Sequence, residues 1–141
     1  MAACGVMLGL LLQGCAKPEA PPPPPPPPPL PPHAGPPPAR LCSVAPFSVK
    51  DGGTADVHMT VSNDGGYCAA TLTADSGQPF DAPLVPVGAL HGGQHVVKYN
   101  HKTSVEYIAN QGYTGHDTFV VRLIVRGKPG YTTLNVSVTV K

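Results

Sequence analysis

The sequence predicts an all-β sandwich of about seven strands over residues 41–141. Short runs of alternating apolar and polar residues recur along this stretch, and Gly, Asn, Asp and Pro separate them. No run follows a helical period. The stretch carries seven Lys/Arg and seven Asp/Glu, so its formal charge is zero. A neutral domain lacks the basic field that phosphate backbones demand, which excludes nucleic acid as a partner.

The strands follow in order. Ala45, Phe47 and Val49 alternate with Pro46 and Ser48, and Val57, Met59 and Val61 alternate with Asp56, His58 and Thr60. Asn63-Asp64-Gly65-Gly66 makes a turn. Cys68, Ala70 and Leu72 form the next inward set. Residues 75–93 are rich in Gly and Pro and read as a long connection with one short edge strand, Pro83 to Val87. Val97 and Tyr99, then Val105 and Tyr107, flank a short turn near His101-Lys102. Phe119, Val121, Leu123 and Val125 give one inward face, and Leu134, Val136, Val138 and Val140 another, across a turn at Gly127-Lys128-Pro129-Gly130. A slip of one residue would expose all of the last four, so the register is tightly specified. Val120 and Ile124 point outward, towards a neighbouring strand's side chains or a contact surface.

Residues 1–40 have a different composition and hold fifteen of the twenty prolines. Residues 1–14 are apolar from Val6 to Leu12, too short to span a bilayer but the length of a signal-peptide core. They end in Leu12-Gln13-Gly14-Cys15. This motif resembles the lipobox of bacterial lipoproteins. The resemblance implies cleavage before Cys15, acylation of Cys15 on its sulfur and its new amine, and lasting membrane attachment. Ala16 follows the cysteine, which by the same resemblance implies the outer membrane. Residues 15–40 then form a tether, with an unbroken run from Pro21 to Pro29. Proline fixes φ and cannot donate a hydrogen bond, so the run is expected as polyproline II, and a tether of this length reaches about 75 Å when extended. A polyproline ligand is the alternative reading of the tract.

Tyr107-Ile-Ala-Asn-Gln-Gly112-Tyr113-Thr-Gly115-His-Asp117-Thr118-Phe119 resembles the signature of bacterial Ig-like, cadherin-like domains. It implies structural roles. Asp117 accepts hydrogen bonds from loop amides, Phe119 plugs the core, and Tyr113 caps the sheet end with its hydroxyl. The acidic calcium motifs of true cadherins are absent from this sequence, so no calcium site is implied.

Four cysteines divide by position. Cys4 lies in the signal segment, Cys15 is the lipidation site, and Cys42 and Cys68 are expected to pair in an oxidising compartment. His91, His95 and His101 are weak metal candidates, and no cofactor is expected. No nucleophile elbow, phosphate loop or paired acid is present, so no enzyme is predicted. These readings combine into a lipid-anchored protein of the cell envelope, attached to the outer membrane and facing the periplasm or the surface. Its domain is read as a non-catalytic module for protein binding or assembly. The proposed contact lies in the 75–93 connection, at Leu90, His91, Gly92 and Gly93. Two alternatives remain open: a histidine-based metal-handling lipoprotein, and a structural envelope component that self-associates through the final hairpin.

Overall fold

The computed structural model describes residues 35–141. The signal segment 1–14, Cys15 and the tether as far as Ala34 lie outside the described residues. Eight strands form: β1 (Cys42–Val44), β2 (Thr54–Val61), β3 (Cys68–Leu72), β4 (Pro83–Val87), β5 (Gly92–Tyr99), β6 (Lys102–Ala109), β7 (Gly115–Ile124) and β8 (Tyr131–Val140). Among the described residues there is no helix. Five strands make one sheet in the order β1-β2-β8-β7-β4, and three make the other in the order β3-β6-β5. All pairings are antiparallel except β2 with β8. The two sheets enclose one core, as a β-sandwich does.

Alternation decides what fills that core. Val57, Met59 and Val61 of β2, Phe119, Val121 and Leu123 of β7, and Leu134, Val136, Val138 and Val140 of β8 are all buried. From the other sheet come Cys68, Ala70, Val105 and Tyr107. The rings of Tyr107 and Phe119 stack across the gap with centroids 6.0 Å apart, the offset arrangement that aromatic pairs favour. Two buried hydroxyls are matched: Thr132 Oγ1 accepts the Gly52 amide and Thr103 Oγ1 accepts the Phe80 amide.

The first strand differs from its sequence reading. Regular pairing stops at Val44, and Ala45 donates one more bond, to the His58 carbonyl, before Pro46. Pro46 has no amide to continue the ladder. Phe47 and Val49 still lean on the core from irregular backbone. The final hairpin, β7 with β8, lies inside the larger sheet. β8 lies between β2 and β7, so both of its edges are already paired.

Cys42 and Cys68 are joined as expected, with Cα atoms 5.1 Å apart. The bond ties β1 of the larger sheet to β3 of the smaller. Residues just before β1, read from the sequence as the end of the tether, are fastened to the domain. The Tyr67 amide donates to the Pro37 carbonyl, and the Ala39 amide donates to the Tyr67 carbonyl. The Arg40 amide donates to Asp64 Oδ2 at 2.8 Å, and the Leu41 amide donates to Ser62 Oγ at 3.0 Å. Ala39 itself is buried. The chain therefore enters at the end of the sandwich that also carries the 62–67 turn, the 88–91 connection and the 110–114 loop.

Candidate functional site

At this entry end, one carboxylate organises two loops. Asp117 is 4% exposed and has no cation beside it. Its Oδ1 accepts the Leu90 amide at 3.1 Å and the Thr118 amide at 2.9 Å. Its Oδ2 accepts the His91 amide at 2.8 Å and the Tyr107 hydroxyl at 3.0 Å. Burial alone would raise the Asp117 carboxyl. The His91 and Leu90 amides, with the Tyr107 hydroxyl and the Thr118 amide, outweigh it and hold the group below the usual carboxylate range. Tyr107 is pushed the other way, first by burial and then by its bond to Asp117, so its hydroxyl stays protonated as a donor. The loop-amide role expected for Asp117 is thus observed, and the clasp holds the chain at Leu90–His91.

The neighbouring loop completes the support. Tyr113 stacks flat on His91, with centroids 4.1 Å apart and ring planes 7° from parallel. Its hydroxyl donates to the His116 carbonyl at 2.6 Å, the backbone bond expected of it. The Asn110 amide donates to the His91 carbonyl. Asn63 Nδ2 donates to the carbonyls of Asn110 and Tyr113 at 2.8 and 2.6 Å.

The four residues proposed as a contact do not share one role. Leu90 is 81% exposed and His91 is exposed beside it. Gly92 and Gly93 are not loop residues; they open β5, paired with Ala109 and Ile108. A β-carbon on Gly92 would collide with the Tyr107 ring and the Ile108 carbonyl, so this glycine serves packing. The connection 75–93 is interrupted by β4, as the sequence suggested, and β4 lies at the edge of the larger sheet against β7.

Leu90 belongs to a larger apolar ridge. Leu84, Val85 and Val87 are 44%, 39% and 53% exposed, and with Leu90 they are four of the six exposed large hydrophobics among the described residues. Leu84 is registered opposite Arg122 and Val87 opposite Val120, on the outward face of the sheet. Val120 and Ile124 thus lie beside the ridge, and Tyr131 continues it with the Arg122 guanidinium 5.8 Å from its ring centroid. Sequence reading placed Leu84, Val85 and Val87 within the 75–93 connection without singling them out, and it missed Tyr131. The available signal was Val120 and Ile124, apolar positions on the wrong face of an otherwise alternating strand.

The histidines do not converge. His91 precedes β5 and His101 follows it, so the eight-residue strand separates them by roughly 26 Å. His95 lies mid-strand, exposed, opposite Glu106. Among the described residues no three His, Cys, Asp or Glu side chains stand close enough to hold a metal ion. Among the described residues, clefts lie at both ends of the sandwich. One, of about 390 Å³, lies at the far end between Phe80, Asp81, Lys98 and Arg126, where Arg126 pairs with Asp81 at 2.8 Å. The other, of about 430 Å³, lies at the entry end between Asn63, Asp64, Ala109 and Gln111. Ser76 also lines the first cleft, where its hydroxyl accepts the Gln78 amide. No family model, curated protein or solved structure matches this chain.

Proposed function

We propose that this chain is a lipid-anchored bacterial envelope protein whose Ig-like, cadherin-like sandwich binds a protein partner without catalysis. The observation that carries the binding role is the ridge from Leu84 to Leu90. Exposed apolar side chains gathered along one edge strand of a small domain suit a contact site, because burying them against a partner removes them from water. A ridge serves recognition best when it is held still, and the Asp117 clasp with the Tyr113–His91 stack immobilises its tip before any partner arrives. The anchor rests on Leu12-Gln13-Gly14-Cys15, and the proline tract from Pro21 supplies distance between membrane and domain. Ala16 favours the outer membrane as the location.

Two experiments test the two halves of this reading. A Leu84→Asp/Leu90→Asp protein should lose at least about tenfold in partner recovery from envelope extracts. Its melting temperature should stay within a few degrees of the parent, since Leu90 is largely in water and Leu84 is nearly half so. Unchanged recovery would remove the ridge from the binding surface. Separately, mass spectrometry of the mature chain should find Cys15 at the N-terminus carrying acyl groups. A chain that retains residues 1–14, or has an unmodified Cys15, would end the anchor reading.

A further inference from the structure

We propose that the free edge of β5 pairs with β5 of a second copy of this chain, joining the two smaller sheets into one of six strands. The two sheets have four edges. β1 is three residues long and stops before Pro46. β4 carries Pro83 and Pro86 and a register shift between Leu84 and Val87, features that obstruct strand addition. β3 has residues 37–39 bonded alongside its start at Tyr67. β5 alone offers eight residues without proline.

The hairpin turn identifies which of its groups are free. Asn100 and His101 both have positive φ, 45° and 62°, the pattern of a two-residue type I′ turn. Tyr99 and Lys102 therefore close the ladder as a hydrogen-bonded pair. By antiparallel alternation Val97, His95 and Gly93 also bond to β6. The amides and carbonyls of Gly92, Gln94, Val96 and Lys98 then point away from β6, and the amides of the last three find no partner among the described residues. The side chains of Gln94 and Lys98 reach back to the two ends of β4. Gln94 Oε1 accepts the Ala89 amide, and the Lys98 ammonium donates to the Asp81 carbonyl.

This edge can pair with its own copy in more than one antiparallel register, and we assign the one centred on Val96. With the two-fold axis at Val96, Gln94 faces the second copy's Lys98, Val96 faces Val96, and Gln94, Val96 and Lys98 all bond across the axis. On the outward face His95 meets Val97, and Gly93 meets Tyr99, an aromatic covering a strand glycine. An axis at Lys98 would set two ammonium groups opposite each other, and one at Gln94 would leave Lys98 outside the pairing. The ridge is not part of this contact, since Leu84 and Val87 lie on the outward face of the other sheet. The dimer would therefore present two ridges, with the two chain entries at opposite ends.

The test uses the full chain with Cys4→Ala and Cys15→Ala, which prevents acylation and stray thiol pairing. Sedimentation equilibrium should show a reversible dimer, and Val96→Pro, which removes the central amide, should weaken it by about tenfold or more. Chains carrying only His95→Cys should be mixed with chains carrying only Val97→Cys. The proposed register brings these positions to about 4.5 Å between Cα atoms, within disulfide range. On mild oxidation the mixture should form a disulfide between position 95 of one chain and position 97 of the other, and neither chain alone should form a dimer cross-link. The cross-link decides the matter should Val96→Pro fail to fold. A monomer at millimolar concentration, a dimer indifferent to Val96→Pro in a folded chain, or equal cross-linking by either single chain would overturn the proposal. A β5 edge that accepts only another protein's strand would appear as the first of these.

Discussion

Replacing Cys42 and Cys68 together by Ala should lower stability by about 3.5 kcal/mol. The bond spans 26 residues, and closing a loop of that length removes this much chain entropy from the unfolded state. For a domain of this size the loss corresponds to a fall in melting temperature of about 15–25 °C. The structural context points the same way. β1 is only three residues long and its one strand neighbour is β2, so the disulfide is what ties β1 directly to the smaller sheet. Reduction of the native protein should give the same loss in thermal unfolding as the double variant. A change below about 1 kcal/mol in both would mean that the hydrogen bonds of residues 37–41 hold the entry without the bond.

Replacing Asp117 by Ala should cost about 3 kcal/mol and release the 88–91 connection. Four donors converge on this carboxylate, and removing it leaves the Tyr107 hydroxyl buried without its partner. Asp117→Asn should cost less, because the amide oxygen keeps part of the set. Hydrogen exchange should show faster exchange of the Leu90 and His91 amides in both variants. The pH dependence has a definite sign. The folded carboxyl is depressed below its unfolded value, so its contribution is complete above the unfolded value near 3.9 and is lost as pH falls through the folded one. Asp51, Asp64 and Asp81 are depressed too, by the Lys128 ammonium, the Arg40 amide and the Arg126 guanidinium respectively, and act in the same direction. Stability should therefore fall below about pH 4, and the Asp117→Asn protein should show a shallower fall than the parent. Equal slopes would mean that Asp117 is not ionised in the folded protein.

What could be read in advance follows from how local each signal is. β7 and β8 were legible because their side chains alternate without interruption, so period and burial coincide at Phe119–Leu123 and Leu134–Val140. The Asp117 clasp was half legible: its chemistry could be anticipated, but its partners Leu90 and His91 lie 26–27 residues away in the chain. The ridge was not legible as a unit. Leu84 and Val87 look like ordinary strand residues until the register sets them beside Arg122 and Val120, and no local pattern states which strand ends a sheet. The same limit applies at the entry, where Ala39 reads as tether and is buried by the pairing with Tyr67. Gly92 and Gly93 were misplaced in a loop for the opposite reason. Two adjacent glycines suggest a loop tip, but here Gly92 is demanded by the Tyr107 ring packed against a strand.

Docking of another protein on the ridge, in the envelope itself, is open to a direct trial. A photo-cross-linking residue is installed singly at Leu90, at Val87 and at His58, and intact cells of the source organism are irradiated. His58 is the control, an exposed position on β2 away from the ridge. Leu90 and Val87 should yield the same discrete adduct and His58 none. Adducts from His58 alone, or none from either ridge position, would mean that the ridge is not where a partner docks.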